Sequence, residues 1–170
     1  RIAAEHETSA YMGAEAAKKA LEMAGLKASD LDMIVMGTAS SNAAFPSAAC
    51  YVQQYLDVPN IPAFDVAAAC SGFIYSLSIA DQYIKSGMAK RILVIGADAL
   101  SQMCAPDDRS TLILFGDAGG ACILEASEEQ GILSTHLHAD GQYQALLGCD
   151  APYHFLCIVI QLNALKYLAD

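Results

Sequence analysis

Cysteines are the residues of this chain with the greatest potential for chemistry, and the six of them lie at positions 50, 70, 104, 122, 149 and 157. They form no CxxC pair, and no histidines accompany them at zinc-finger spacing. The pattern therefore indicates neither a metal site nor the disulfide framework of a secreted protein. It favours the reducing environment of the cytosol.

Cys70 differs from the other five because it separates a predicted strand, IPAFDVAAA, from a predicted helix that begins near Ser71 and Gly72. A thiol at that position experiences the positive end of the helix and unpaired backbone N–H groups, which both favour the reactive thiolate. Small residues on both sides permit a tight turn, as in a nucleophile elbow. The alternative is that Cys70 is a small buried apolar residue, the interpretation adopted for the other five cysteines.

The elements that must position Cys70 follow from periodicity and from turn residues. Strands alternate with helices, which predicts an α/β fold with a mainly parallel sheet covered by helices on both faces. Three helices are predicted: one over 9–24, capped by Thr8 or Ser9 and ended by Gly25, one from Pro46 to about Leu56, and one in SGFIYSLSIADQYIKSG, ended by Gly87. Buried strands are predicted in LDMIVMGTA, IPAFDVAAAC and KRILVIGADA. A loop at CAPDDRS is followed by strands in TLILFGD and GGACILEA around a glycine-rich turn.

Composition narrows the class of protein. The chain has 170 residues, of which 55% are apolar and 16% charged, as in a single domain with a large core. Its net charge of −10 would repel nucleic acid and anionic lipid, so neither is expected as a partner. No apolar run approaches the roughly 18 residues of a membrane-spanning helix.

Four segments in order, AFPSAAC, DVAAACSGF, DRSTLILFGDAGGA and GILSTHLHADG, closely resemble β-ketoacyl-acyl-carrier-protein synthase III, the initiating condensing enzyme of bacterial type II fatty acid synthesis. The resemblance implies that residues 1–147 form a thiolase-like half-domain without its first strand. It does not extend to residues 148–170, which stay an unassigned tail. It also implies a homodimer, acyl carrier protein as partner, and acetyl-CoA as a substrate with no permanently bound cofactor.

The resemblance assigns roles to individual residues. Cys70 would be the nucleophile that accepts the acetyl group, and its own N–H would form half of an oxyanion hole. Arg109 would contact the adenine end of coenzyme A, the alternative being a solvated arginine paired with Asp107 or Asp108. Phe45 would reach across the dimer interface into the partner's acyl pocket, although it could simply cover the helix that follows. Three apolar residues would line the acyl pocket or serve as plain core: Leu100, Phe115 and Leu147.

The remaining motifs, a glycine-rich segment and a pair of histidines, receive no catalytic role. The segment Gly116–Ala121 resembles a GDGAGA motif with Gly and Ala exchanged at two positions, and we interpret it as a tight backbone feature near the active site. His136 and His138 would share one side of a strand without a third ligand, so we assign them no metal.

The family's decarboxylating histidine and asparagine have no counterpart, which predicts slow self-acylation and no condensation by these 170 residues. The alternatives are a polyketide-type starter synthase and a noncatalytic thiolase-like dimer or scaffold module.

Overall fold

The computed structural model describes residues 2–149 and the backbone of residues 158–160. Its elements in chain order are α1 (Ser9–Ala24), β1 (Met33–Gly37), α2 (Ala48–Tyr55), β2 (Ala63–Val66), α3 (Gly72–Lys85), β3 (Arg91–Ala99), α4 (Arg109–Leu112), β4 (Asp117–Glu125), β5 (Leu147–Cys149) and β6 (Ile158–Ile160). None of the helices in these ranges is both long and apolar enough to cross a membrane.

The main sheet has four strands in the order β2-β1-β3-β4. Strand β1 pairs in parallel with both β2 and β3, whereas β4 runs antiparallel to β3. The predicted α/β fold with a mainly parallel sheet is therefore confirmed. Because the carboxyl ends of β1, β2 and β3 lie at the same edge, the loops that follow them converge there.

Apolar side chains cover both faces of this sheet. On β1, Ile34 and Met36 face the cluster formed with α1 and α2, while Met33 and Val35 face the cluster packed against α3. All five residues of β1 are buried. Burial on both faces explains why the strand reads as a continuous apolar run without alternation.

Helix α1 agrees with its predicted bounds because its caps act locally. The Thr8 side chain accepts a hydrogen bond from the N–H of Tyr11 at 3.2 Å. Gly25 ends the helix in the left-handed region at φ +66°, a conformation that glycine adopts without steric cost. The stop predicted at Gly87 is likewise found just after α3, with φ +74°.

The second helix begins later than predicted, and Pro46 lies outside it. Ser47 is the cap, with its hydroxyl accepting from the N–H of Cys50 at 3.3 Å. Asp65 of β2 accepts the next two N–H groups, those of Ala48 and Ala49, at 2.6 and 2.8 Å. The prediction of a buried strand at β2 was also too strong, because β2 is an edge strand and its four residues are only half-buried.

The region TLILFGD does not form the predicted strand. Asp108 instead caps the short helix α4, accepting from the N–H of Ser110 at 3.0 Å and from the Thr111 hydroxyl. The strand β4 begins only at Asp117 and runs through the glycines, pairing with β3 at nine positions. The segment Gly116–Ala121 is therefore almost entirely strand.

Beyond β4 the described chain has little regular structure. Residues 126–140 contain no helix or strand, so His136 and His138 lie on an exposed segment and not on the strand considered for them. Strands β5 and β6 form a separate antiparallel pair, and the predicted boundary after residue 147 falls within β5. For the predicted tail, residues 150–157 and 161–170 lie outside the described residues.

Candidate active site

Cys70 lies in a single 3-10 turn, Ala69–Ser71, directly before α3. Its side chain is exposed. Ala69 has a φ of +42°, an unusual value for a residue with a side chain, and such strain concentrates at functional sites. A thiol held on a strained strand-to-helix turn is the arrangement of a nucleophile elbow. The predicted turn around Cys70 is therefore present in the structure.

A cavity of about 450 Å³ opens beside Cys70. Its walls come from the 3-10 turn and α3 on one side and from β4 on the other, with the ends of β1 and β3 between them. Most of its residues are small, and the larger ones are Phe73, Asp98 and Leu100. An exposed thiol at the mouth of a cavity with small walls can be approached closely by a substrate.

Asp98, near the end of β3, connects this cavity to the loop after β1. Its Oδ1 accepts from the Thr38 hydroxyl at 3.0 Å, from the N–H groups of Ala39 and Ser40 at 2.7 and 3.1 Å, and from the Ser40 hydroxyl at 2.8 Å. The Ser40 hydroxyl also accepts the N–H of Ala99 at 2.8 Å. The carboxylate therefore binds the loop after β1 to the end of β3.

None of the other four described cysteines combines an exposed thiol with a place on the cavity. Cys104 is 3% exposed, and burial together with the negative charges of Asp108 and Asp117 raises its pKa. Burial also raises the pKa of Cys122 in β4. The Cys50 thiol lies 3.1 Å from the Ser47 hydroxyl and 3.6 Å from the carbonyl oxygen of Ala63. Cys149 is exposed, as Cys70 is, but it lies on β5 and not on the cavity.

Arg109 begins α4 and is exposed. The Asp108 carboxylate accepts hydrogen bonds from the N–H of Ser110 and from the Thr111 hydroxyl. Among residues 2–149, Arg109 belongs to none of the ion pairs. The pairing with Asp107 or Asp108 that we considered for it is thus not present. Gly116, four residues beyond α4, lines the cavity.

The remaining predicted pocket residues are dispersed. Leu100 lines the cavity, whereas Phe115 and Leu147 do not. Phe45 is 85% exposed. It follows the loop that Asp98 holds and precedes α2. Their roles in an acyl pocket or an interface stay predictions.

Two cavity features were missed in the sequence. Asp98 could have been noted, because polar residues at the carboxyl ends of parallel strands commonly form sites. Phe73 lies in the helix predicted in SGFIYSLSIADQYIKSG, and the structure shows that it also lines the cavity. Helical periodicity alone does not indicate which core-facing residue also borders an opening.

The described residues hold no group of three or more His, Cys, Asp or Glu side chains arranged to bind a metal ion. His136 Nε2 lies 3.2 Å from the Ser134 hydroxyl, a neighbour on the same exposed segment.

Comparison with known proteins agrees with this architecture. A sequence profile described as 3-oxoacyl-[acyl-carrier-protein] synthase III matches residues 64–141, which include Cys70 and β4. The chain is 64% identical over 152 residues to the β-ketoacyl-[acyl-carrier-protein] synthase III of Pseudoalteromonas atlantica and 61% identical over 152 residues to that of Shewanella oneidensis. In both comparisons the match covers 89% of this chain and 48% of the relative.

Solved structures show the same fold. The 3-oxoacyl-[acyl-carrier-protein] synthase III of Aquifex aeolicus superimposes with a TM-score of 0.90 at 46% identity, covering 99% of this chain and 54% of that one. The priming β-ketosynthase of the R1128 polyketide pathway superimposes with a TM-score of 0.85 at 30% identity, covering 100% of this chain and 48% of that one.

The chain thus spans about half the length of the curated relatives it matches. Its α/β architecture is the thiolase-like one predicted from the motifs. In sequence and in fold, the chain is similar to the amino-terminal half of 3-oxoacyl-[acyl-carrier-protein] synthases III.

Proposed function

We propose that this chain carries the acyl-accepting half of a condensing enzyme of type II fatty acid synthesis, with Cys70 as the nucleophile and acetyl-CoA or a short acyl-CoA as the donor. The observation that carries the proposal is the exposed Cys70 thiol on a strained turn at the N-terminus of α3, beside a cavity with small walls. Sequence identity of about 60% to curated synthases III supports the same chemistry.

In the proposed step, the Cys70 sulfur attacks the thioester carbonyl of the acyl-CoA. The bond between the acyl carbon and the Cys70 sulfur forms, the bond to the coenzyme A sulfur breaks, and the thiol proton passes to coenzyme A. Backbone N–H groups of a helix's first turn lack partners within the helix. The N–H of Cys70 is therefore proposed as one donor to the oxyanion that forms in this step.

Arg109 is proposed to contact the adenine and phosphate end of coenzyme A. Its side chain is exposed and outside the described ion pairs, and α4 leads within a few residues to the cavity at Gly116. A guanidinium can stack on a base and pair with phosphate. Coenzyme A would act as a substrate carrier and not as a resident cofactor.

The second half-reaction is proposed from the relatives alone. Acyl-Cys70 would condense with malonyl-acyl-carrier protein to give a 3-oxoacyl product and CO₂. Acyl carrier protein is the proposed partner. Among the described cations, Lys85 is paired with Asp81 at 2.7 Å and Arg91 with Glu125 at 2.6 Å, whereas Lys90 and Arg109 belong to none of the ion pairs.

Homodimerisation is a further part of the proposal. Strand β2 is an edge of the main sheet, and an unpaired edge is a ready template for pairing with a second chain. Phe45 is 85% exposed and lies three residues before Ala48, which Asp65 of β2 binds at 2.6 Å. An exposed aromatic residue near a free strand edge supports an interface there. A cytoplasmic location is proposed with it, supported by the five free cysteines of the described residues.

A polyketide-type starter synthase is the second candidate function, favoured by the 30% identity to the R1128 priming β-ketosynthase over its matching half. Both candidates share the acylation of Cys70 and differ in what is condensed afterwards. The higher identity to the fatty acid relatives supports the first candidate.

The acylation can be tested by intact-protein mass spectrometry after incubation with acetyl-CoA. We expect one acetyl group per chain in the parent protein and none in Cys70→Ser. Cys149→Ser is the matched control, because it removes the other exposed described cysteine, and it should acylate normally. An adduct that persists in Cys70→Ser would contradict the assignment of the nucleophile.

The same experiment separates an enzyme from a noncatalytic module. A scaffold cysteine would react with iodoacetamide at the ordinary rate of an exposed thiol and would retain no acetyl group. Adding malonyl-acyl-carrier protein then tests condensation. We expect no 3-oxoacyl product from these 170 residues, since they contain no counterpart of the family's histidine and asparagine segments.

A further inference from the structure

Cys70 lies on a short segment, residues 67–71, that joins β2 to α3 and has both of its ends against the last residue of β1. At one end, Val66 is the cross-strand partner of Gly37 in the parallel pair β1–β2. At the other end, a Cβ on Gly72 would lie 3.1 Å from the Cα of Gly37 and 3.3 Å from the carbonyl oxygen of Val66. The position of the Cys70 segment therefore depends on the position of the end of β1.

The Asp98 carboxylate holds the residues that follow the end of β1. It lies beside them because β1 and β3 are parallel neighbours in the sheet. Its Oδ1 accepts hydrogen bonds from the Thr38 hydroxyl at 3.0 Å and from the N–H groups of the next two residues at 2.7 and 3.1 Å. Thr38 in turn donates its own N–H to the carbonyl oxygen of Val66 at 3.4 Å. Through Thr38, Asp98 is thus connected to the start of the Cys70 segment.

Thr38 is buried, with 4% of its surface exposed, and its hydroxyl is used both as donor and as acceptor. It donates to Asp98 and accepts the N–H of Ser40 at 3.2 Å. Hydrogen bonds to an ionised acceptor are stronger than those between neutral groups. Because the Ser40 hydroxyl also donates to the same Asp98 oxygen, at 2.8 Å, four donors fix this stretch of backbone around one atom.

The charge of Asp98 does not explain its presence at this site. Asp98 lines the same cavity as Cys70. A negative charge there repels an attacking thiolate and the phosphates of coenzyme A, so by itself it would oppose acylation. A benefit of Asp98 to the reaction would therefore come from its hydrogen bonds and not from its charge.

We propose that Asp98 is a positioning residue for Cys70, which acts through Thr38 by fixing the end of β1 against which both ends of the Cys70 segment lie. The inference rests on the proposed acylation of Cys70. In that step the sulfur must meet the thioester carbon in a defined geometry, and a displacement of about 1 Å can lower the rate about a hundredfold. Loss of Asp98 therefore slows acyl transfer from bound acetyl-CoA. It does not weaken the binding of acetyl-CoA, for which Arg109 is the proposed contact.

The test measures single-turnover acylation of Cys70 over a range of acetyl-CoA concentrations, which separates the saturating rate from the half-saturating concentration. We expect Asp98→Ala to lower the saturating rate about tenfold or more, with a half-saturating concentration no higher than that of the parent. Asp98→Asn should retain more of the rate, because an amide oxygen can accept the hydrogen bonds that now end on Oδ1. A saturating rate in Asp98→Ala equal to or above that of the parent would overturn the inference.

Variants of Thr38 test the route by which Asp98 acts and decide the inference if Asp98→Ala does not fold. Thr38→Val keeps the shape of the side chain without its hydroxyl, and it should also lower the saturating rate. Thr38→Ser restores a hydroxyl and should restore the rate. The double variant with Asp98→Ala and Thr38→Val should be no slower than Asp98→Ala, because both changes break one connection. A parent-like saturating rate in Thr38→Val would overturn the inference.

Asp32→Ala is the matched control, because Asp32 joins the same two strands at their opposite ends. Its carboxylate accepts the N–H groups of Lys90 and Arg91, where β3 begins, at 2.7 and 2.8 Å. This variant should also be less stable than the parent, as urea denaturation would measure, but it should keep the parent's saturating rate. If the saturating rate falls as much in Asp32→Ala as in Asp98→Ala, the effect is one of stability and the positioning role is wrong.

Alkylation by iodoacetamide distinguishes failure of this inference from failure of the proposed function. Peptide mass spectrometry compares the alkylation rate of Cys70 with that of Cys149, an exposed thiol that does not line the cavity. If the parent forms no acetyl adduct, the proposed function fails and this ratio alone decides the inference. A ratio of Cys70 to Cys149 alkylation that falls in Asp98→Ala but not in Asp32→Ala supports the positioning role. An unchanged or higher ratio in Asp98→Ala, or an equal fall in both variants, overturns it.

Discussion

Gly37, the last residue of β1, and Gly72, the first residue of α3, lie against each other with no room for a side chain between them. A Cβ on Gly37 would lie 2.6 Å from the backbone nitrogen of Phe73, and a Cβ on Gly72 would lie 3.1 Å from the Cα of Gly37. This contact fixes the first turn of α3 against the end of β1. Cys70, two residues before Gly72, depends on it for its position beside the cavity.

Replacing Gly37 by alanine is expected to displace that turn. The added methyl group would meet backbone, which cannot rotate away as a flexible side chain could. We expect the free energy of unfolding to fall by about 1–3 kcal/mol, as for other overpacked sites. Urea denaturation measures this, and the iodoacetamide reaction rate of Cys70 reports the change in the turn.

Gly141→Ala provides the control for this substitution, since a Cβ on Gly141 would meet no described residue within 4 Å. It should leave both measurements unchanged. Parent-like stability and parent-like Cys70 reactivity in Gly37→Ala would show that the contact is not needed.

Removing the Asp98 carboxylate is expected to release the loop after β1. Asp98→Ala deprives Thr38, which is 4% exposed, of the acceptor for its hydroxyl. A buried donor left without a partner costs about 1–3 kcal/mol. Asp98→Asn retains one acceptor oxygen and should lose less. Thermal unfolding of the two variants tests this order, and equal stability of Asp98→Ala and the parent would contradict the role of Asp98.

Asp117 should make stability depend on pH in the acid range. Burial alone would raise the pKa of Asp117, but the N–H of Ala3 and the N–H and hydroxyl of Ser101 donate to its carboxylate and hold the pKa below its usual value. The ionised form is thus favoured in the folded state. Its stabilising contribution is complete above the unfolded pKa of about 3.9 and is lost as the pH falls through the lower folded pKa.

We therefore expect Asp117→Asn to be less stable than the parent at pH 7 by about 1.5–3 kcal/mol, the range for hydrogen bonds to a charged group. The difference should shrink as the pH falls below about 4. Urea denaturation at several pH values measures it. Glu128→Gln, which removes an exposed carboxylate, controls for the change in net charge. A difference between Asp117→Asn and the parent that does not vary with pH would argue against this coupling.

Phe45→Ala is expected to weaken the proposed dimer without affecting the fold of one chain. Phe45 is 85% exposed, so its loss removes little packing within the chain. An aromatic residue at the centre of an interface commonly contributes enough that its truncation raises the dissociation constant about tenfold or more. Sedimentation equilibrium measures that constant. Met23→Ala truncates an exposed apolar residue elsewhere, on α1, and should leave the dissociation constant unchanged. A parent protein that is monomeric at micromolar concentration would contradict the dimer itself.

The sequence by itself was sufficient where the deciding interactions are local. The bounds of α1 follow from the Thr8 cap and the left-handed Gly25, which act within one turn of the helix ends. The turn at Cys70 was predictable because a short apolar strand, three alanines and a helix start follow one another in the chain. The order of strands and helices likewise predicted the class of sheet.

Tertiary contacts decided the features that local preference leaves open. TLIL has the composition of a strand, but β4 begins only at Asp117, where pairing with β3 begins, and this pairing extends β4 through glycines that normally disfavour strands. The half-buried state of β2 depends on its place at the sheet edge, which no residue of β2 encodes alone. The cavity depends on the approach of β4 to α3, since Gly120 and Phe73, far apart in the chain, face the same space only once Gly120 is paired with Gly96.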